Sequence, residues 1–429
     1  MRPQTLIAWT LLAGCSAASG PPPGPQTSYY QNAAPVFARN CTSCHQSGGI
    51  APFALTSYQD AVNYKDAVAN AVRSQIMPPL PPQQQGCQPL DDFRNMSEDD
   101  RQTILDWVAG GAAEGNASKA APLPNPPQSE LGAPTDVFDS GLDYTSSYPG
   151  NDEYRCFVID PKLTATANVI ALNVRYSNPQ IVHHAVIFAA LPGTEAQVNQ
   201  LDAADPLPGY ECFGGAGFEG AATLAAEAPG AVPRSFPDHT GVPLPAGTRF
   251  VVQMHYNFNN GRGTDHFAVE MWRSPTPITR YPHGGRIVNF WFDIPAGAAD
   301  VMAQATTPVV SAGLPPNEAQ VKEGLIWEVF PHMHMIGRTI EIDVVHQDGS
   351  HTCLLNIPSW NFHWQGFYRL AQPLAVQAGD QLLLTCHWDN SPAHQPIVNG
   401  QPQTPREVRF GEGSLDEMCL AGVVLTDPR

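Results

Sequence analysis

From about residue 136 to the C-terminus, short runs of Val, Ile, Phe and Tyr alternate with Pro, Gly, Asn and Asp, as in Val169 to Tyr176 and Arg249 to Tyr256. Runs this short, each stopped by residues that cannot continue a ladder, suit antiparallel strands and leave no room for long helices. The 43 prolines and 36 glycines supply the turns, at a level still short of a disordered composition. A second concentration of both, from Ser274 to Gly285, divides the β region into similar halves. Two all-β sandwich domains of jelly-roll-like kind are expected, over 136–283 and 284–429. No repeat of roughly 20 to 50 residues is evident, which disfavours a propeller or a solenoid.

The 429 residues exceed what one core usually organises, so a further unit before residue 136 is expected. Residues 28–117 have helical spacing around Ala34-Pro35-Val36-Phe37 and from Ser97 to Val108, with Ser97 as a cap and Gly110-Gly111 as a stop. A proline-rich linker follows over 118–135. Within the helical stretch, Cys41-Thr42-Ser43-Cys44-His45 is the C-x-x-C-H arrangement, in which two cysteines form thioethers to a haem and the histidine ligates its iron. Met77, held between Ile76 and Pro78-Pro79, is the expected sixth ligand, with Met96 the runner-up. A thioether ligand raises the reduction potential, as an electron carrier requires. The stretch resembles the small class I cytochromes c, where a Met-Pro-Pro segment commonly supplies the distal ligand. The expected fold class is multidomain: a small all-α cytochrome c domain with one covalent haem c, followed by the two sandwiches.

The N-terminus runs from Arg2 through an apolar stretch, Leu6 to Leu12, to Ala13-Gly14-Cys15-Ser16. It resembles a bacterial lipobox, which implies a signal peptide and anchor region over 1–20, cleaved before Cys15, with lipid on that cysteine. The apolar run is too short to span a bilayer. The expected location is outside the cytoplasm, lipid-anchored in the bacterial cell envelope, at the periplasm or the outer membrane. A formal charge of −18 with only 22 Lys and Arg disfavours nucleic acid as a partner. Of the nine cysteines, those outside Cys15, Cys41 and Cys44 are even in number, which suits disulfides in an oxidising compartment.

Four features of the β region carry chemistry: His183-His184, Gln253-Met254-His255-Tyr256, His332-Met333-His334 and Glu417-Met418-Cys419. His332 and His334, two apart on a strand, project from one face and can share a metal. Imidazoles with a thioether form a borderline-to-soft ligand set that favours copper over magnesium, calcium or manganese. The order of these features resembles the copper type II, ascorbate-dependent monooxygenases, the family of peptidylglycine α-hydroxylating and dopamine β-monooxygenases. The likeness covers about 140 to 429. It implies one copper on His183, His184 and His255, which stores an electron, and a second copper on His332, His334 and Met418, which are the catalytic residues where dioxygen and substrate meet. It further implies disulfides Cys156–Cys212 and Cys386–Cys419, and a place for Gln253 on the substrate side. Cys87 and Cys353 have no counterpart in the family and stay unassigned, as an interdomain bridge or two thiols.

Phe330, Leu420 and Gly422 stand where the peptide-amidating members carry arginine, asparagine and tyrosine. A peptide carboxylate would find no partner there, so an apolar or aromatic substrate is expected. The expected function is a copper-dependent monooxygenase that hydroxylates an activated C–H bond of a small molecule with O2. Electrons would come from an external donor, an ascorbate-like reductant or a redox protein, through the haem. The alternative is a non-catalytic copper and haem electron relay or a copper-binding lipoprotein. The remaining eight histidines, and the aromatic cluster of Trp360, Phe362, Trp364 and Tyr368, read as surface or core packing. Oligomeric state is not legible.

Overall fold

A computed structural model describes residues 27–429 apart from 50, 80–81, 83–85, 92–95, 125–130, 151, 228–232, 237–238, 259–260, 310–322, 363, 399–400, 412, 414 and 427–429. Cys15 and the expected signal over 1–20 lie outside the described residues.

The first sandwich faces a four-stranded sheet against a five-stranded one. The four-stranded sheet orders its strands Asp136–Asp139, Phe267–Arg273, Ala167–Tyr176 and Val242–Leu244. The five-stranded sheet runs Tyr210–Glu211, Asp152–Ile159, Arg249–Asn257, Val182–Ala190 and Ala222–Glu227. Alternating burial along Ala167–Tyr176 shows the one-sided wetting that its period-two sequence dictates. Between the sheets, Phe157, Ile187, Leu244, Phe250, Val252, Phe267 and Met271 form the core. The central strand Arg249–Asn257 is buried on both faces. Its outer face lies under a second cluster of Val198, Tyr210, Cys212 and Val251, fastened by the Cys156–Cys212 disulfide.

The second sandwich pairs two four-stranded sheets. One holds Pro282–Asn289, Cys419–Thr426, Glu323–His332 and Tyr368–Gln377; the other holds Val301–Pro308, Gln381–Trp388, Gly337–Val345 and His351–Ile357. The Cys386–Cys419 disulfide joins the two sheets beside a core of Ile326, Ile340, Leu354, Tyr368, Leu384 and Trp388.

The expectation of a separate small all-α cytochrome c domain is overturned, although the β part of the expected fold class stands. The chain is dominated by strands, and its helices are few and short, the longest described one being Glu98–Ala109. Ser97 caps that helix by accepting from the Asp100 amide at 3.1 Å, and Trp107 and Phe37 pack with Tyr29 in a small core. This segment does not stand apart, because residues 87 to 91 run along the second sandwich. Gln88 N–H donates to the Cys353 carbonyl, Asp91 N–H to that of Arg369, and Ala371 N–H to that of Pro89. A disulfide links Cys87 to Cys353, and Arg234 of the first sandwich pairs with Asp91. Short helices gain their stability from the elements they pack on, and here those elements include the sheet.

The Cys87–Cys353 bond spans 266 residues of chain and is the covalent tie between the helical segment and the second sandwich. Replacing both by serine should lower stability by about 2–5 kcal/mol, read from the denaturant midpoint under oxidising conditions. An unchanged midpoint would show that backbone pairing alone holds the segment in place.

Candidate metal centres

His184 and His255 lie directly opposite each other on neighbouring strands. Adjacent residues of a regular strand point to opposite faces, so His183 and His184 could not both reach one ion there. The ladder shifts register between Val182 and His184, and this bulge turns His183 toward its neighbour. The three Nδ1 atoms converge at 3.1 Å (His183 to His255), 3.2 Å (His183 to His184) and 3.3 Å (His184 to His255). A triangle of that size has its centre about 1.9 Å from each nitrogen, close to the ~2.0–2.1 Å of a metal–imidazole bond. The three form one of two groups of potential ligands among the described residues. In the other, Glu341, Asp343 and Cys353, the cysteine is spent in a disulfide.

The far side of His255 fixes its tautomer. Its Nε2 lies 2.9 Å from Asp152 Oδ1, an acceptor, so the proton sits on Nε2 and Nδ1 presents a lone pair. Asn257 donates to the same oxygen at 2.8 Å. Tyr154 stacks on the His255 ring at 4.0 Å between centroids and 12° between planes. Burial, with His255, His183 and His332 adding to it, holds the His184 pKa well below the usual histidine value. The His184 ring is therefore neutral near pH 7, as metal ligation requires.

The second pair uses the other end of the ring. His332 closes the strand Glu323–His332, opposite Leu420, and His334 lies two residues on. His332 Nδ1 donates to Gln365 Oε1 at 2.6 Å and His334 Nδ1 to the Asp416 carbonyl at 3.3 Å, which leaves each Nε2 as the ligand nitrogen. The rings meet at 5.1 Å and 89°. Burial lowers the pKa of both, that of His334 to about 4, with His332 contributing. Continuing the strand register past Leu420 would set Met418 beside His334. Glu417 secures this arrangement. Fully buried, its carboxylate accepts from the amides of His334 (2.9 Å), Ile336 (2.8 Å) and Met418 (3.2 Å) and from Trp388 Nε1 (2.9 Å).

Phe330 and Gly422 are direct partners across the ladder, so with Leu420 they form an apolar wall next to His332. Phe367 packs on Phe330 at 5.1 Å. Gln253, by contrast, is buried and donates to the carbonyls of Cys212 and Gly215 at 2.6 and 3.2 Å, tying the disulfide loop to the His255 strand. A cleft of about 310 Å³ opens beside the first cluster, lined by Tyr148, Asp152, Tyr154, Glu211 and Phe213 of the first sandwich and by Phe362 of the second.

The aromatic cluster read as core packing is partly something else. Trp360 Nε1 donates to the His334 carbonyl at 3.1 Å, the Phe362 ring lies 5.6 Å from that of His334, and Trp364 lies 6.3 Å from that of His183. Trp360, Phe362 and Tyr368 are all buried, and Trp360 and Tyr368 belong to the core of the second sandwich. Asp152 and Gln365 carry no signal in the sequence, and Glu417 stands there only as part of a motif, with no role, since an acid or amide carries no spacing signal. The Glu417-Met418 adjacency was the one cue available.

In the helical segment, Cys41 and Cys44 stay outside the three disulfides. His45 Nδ1 lies 3.0 Å from the Phe53 carbonyl, so its proton is engaged there and Nε2 keeps its lone pair. Met77 is half-buried in the loop after Lys65–Arg73, whereas Met96 belongs to the small helical core.

Residues 317–424 match the C-terminal domain of the copper type II ascorbate-dependent monooxygenases. A human protein named "Putative DBH-like monooxygenase protein 2" is 22% identical over 311 residues, 68% of this chain and 57% of its own length. The chain thus spans little more than half of that relative. Among solved structures, the major capsid protein P2 of bacteriophage PM2 aligns at a TM-score of 0.25 and 10% identity, over 64% of this chain and 96% of that one. An allantoicase aligns at 0.16 and 9%, over 65% and 80%. Neither of these two likenesses carries an argument. The sequence matches set the chain beside the copper type II monooxygenases and bring with them the expectation of copper and oxidoreductase chemistry.

Removing the acceptor in Asp152→Ala should weaken copper binding at the first cluster by about 10–100-fold, measured by competition with a chelator. Glu417→Ala strands buried donors and should destabilise the fold by about 3 kcal/mol or more in chemical denaturation. A neutral outcome in either variant would remove the role assigned to that carboxylate.

Proposed function

We propose that the chain is a copper-dependent monooxygenase that hydroxylates an activated C–H bond of a small apolar or aromatic molecule with O2. The observation that carries this reading is the convergence of three Nδ1 atoms at metal-binding separation, in a chain whose residues 317–424 match a copper monooxygenase domain. His183, His184 and His255 would hold one copper and His332, His334 and Met418 the other. Copper bound at these two places supplies one-electron redox steps and the activation of dioxygen.

The chain's own residues perform the rest. Asp152, Gln365 and the Asp416 carbonyl hold protons on the ring nitrogens that face away from the metals, so the facing nitrogens stay neutral donors. Glu417 fixes the backbone of His334 and Met418 together, so neither ligand moves without the other. Phe330, Phe367 and Leu420 offer a substrate an apolar surface beside His332 and present no cation for a carboxylate. Inserting one oxygen atom into C–H and reducing the other to water consumes two electrons and two protons.

Electrons are proposed to arrive from an ascorbate-like reductant or a redox protein, by way of a haem on Cys41, Cys44 and His45 with Met77 as its sixth ligand. The engaged Nδ1 of His45 and the two cysteines outside the disulfides fit such a group. Export with a lipid on Cys15 is part of the same proposal, and three disulfides suit an oxidising compartment.

Metal and haem content of the matured protein, with oxygen uptake against aromatic and aliphatic C–H substrates, tests this. Two coppers and one haem per chain, and substrate-dependent uptake lost in Met418→Ala, are expected. Metals that exchange electrons without consuming oxygen would leave an electron relay instead.

A further inference from the structure

We infer that the loop from Trp360 to Phe367 is the electron bridge between the two metal centres, with Trp364 as its contact on the first and Gln365 as its contact on the second. The inference rests on the two-copper reading and goes beyond it by assigning the route.

The loop belongs to the second sandwich, lying between the strands His351–Ile357 and Tyr368–Gln377, yet it touches both clusters. The Trp364 ring lies against His183, with centroids 6.3 Å apart and planes inclined by 52°. The next residue, Gln365, places Oε1 2.6 Å from His332 Nδ1. Its amide orientation is determined, because Nε2 donates to the Phe362 carbonyl at 3.0 Å and leaves only the oxygen for the imidazole. From one ring to the other the path is therefore a ring contact, the covalent chain from the Trp364 side chain through one peptide link to the Gln365 side chain, and one short hydrogen bond.

Electron tunnelling decays steeply with distance and is faster through packed and hydrogen-bonded atoms than through water. Trp364 and Gln365 supply such packed and hydrogen-bonded atoms between the two clusters. An indole is a large polarisable ring that makes extended contact with an imidazole, and it can be held rigidly. The loop is anchored for the purpose. Trp360 N–H donates to the Arg338 carbonyl at 2.8 Å and its Nε1 to that of His334, while Phe362 packs on the His334 ring. The ring that meets the first centre is thus tied by short links to the backbone of the second.

The step it serves is balanced and simple. One electron would leave a copper on His183, His184 and His255, oxidising it by one unit, and would reach a copper on His332, His334 and Met418, reducing it by one unit. No bond forms or breaks, and no proton need cross. The external reductant named above refills the first centre.

The test uses the full chain loaded with copper and fully oxidised. A substoichiometric pulse of electrons is delivered, and their redistribution between the two copper signals is followed by rapid-freeze electron paramagnetic resonance. In wild type the redistribution should be first order and independent of protein concentration. Gln365→Leu should slow it by about 10–100-fold, and Trp364→Leu by a similar factor, with copper affinity at the first cluster unchanged in the latter. Trp364→Phe, which keeps an aromatic ring, should restore much of the rate and guards against a loop that simply collapses. Wild-type transfer in Trp364→Leu with both coppers bound would overturn the bridge and leave the two-copper reading intact. Absence of one copper signal from wild type itself would overturn that reading, and the bridge with it.

Discussion

Glu417 is fully buried, and a carboxylate taken out of water is tolerated only when its oxygens are saturated with donors. Three backbone amides and the indole of Trp388 meet that demand. The donors come from the chain just past the strand Glu323–His332, from the strand Gln381–Trp388 and from Met418 itself, so one side chain joins both sheets of the second sandwich at the point where the ligands emerge. The Cys386–Cys419 bond lies within two residues of this knot and adds a covalent link between the same sheets. Burial pushes the Glu417 carboxyl up to about 7 in spite of its donors.

The two centres solve the same problem from opposite ends of the imidazole. In the first, Asp152 accepts the Nε2–H of His255 and the Nδ1 atoms converge; in the second, Gln365 and a backbone carbonyl accept the Nδ1–H groups and Nε2 keeps its lone pair. The ring nitrogen offered to a metal is decided by the acceptor behind it. Those acceptors come from a neighbouring strand in the first case and from two separate loops in the second, so each centre depends on the register of its sheet.

The helical segment is bound into this assembly rather than attached to it. Residues 87 to 91 pair with the second sandwich, and Asp91 meets Arg234 of the first. Sequence periodicity suggested an independent all-α unit because the helical spacing of Ser97 to Val108 is local, whereas pairing of Leu90 with Leu370 is not. A contact across some 280 residues leaves no trace in local spacing.

Alternating runs and turn residues were enough to establish two sandwiches, because strand period and turn chemistry are local properties. The histidines and Met418 form a set in the sequence through a family resemblance, and the structure brings His183, His184 and His255 together and sets His332 beside His334. Cysteine parity anticipated disulfides but left Cys87 and Cys353 without an assignment. Tertiary structure alone decided the rest. A bulge at His183 lets consecutive histidines face one point against the two-residue period of a strand. Asp152, Gln365 and Glu417 meet a ring nitrogen or an amide only because folding brought them there, and Trp364 lies against His183 because a loop of one sandwich reaches the other. Residue identity and local period are written in sequence, but which acceptor stands behind which ring is a matter of distance between segments far apart in the chain.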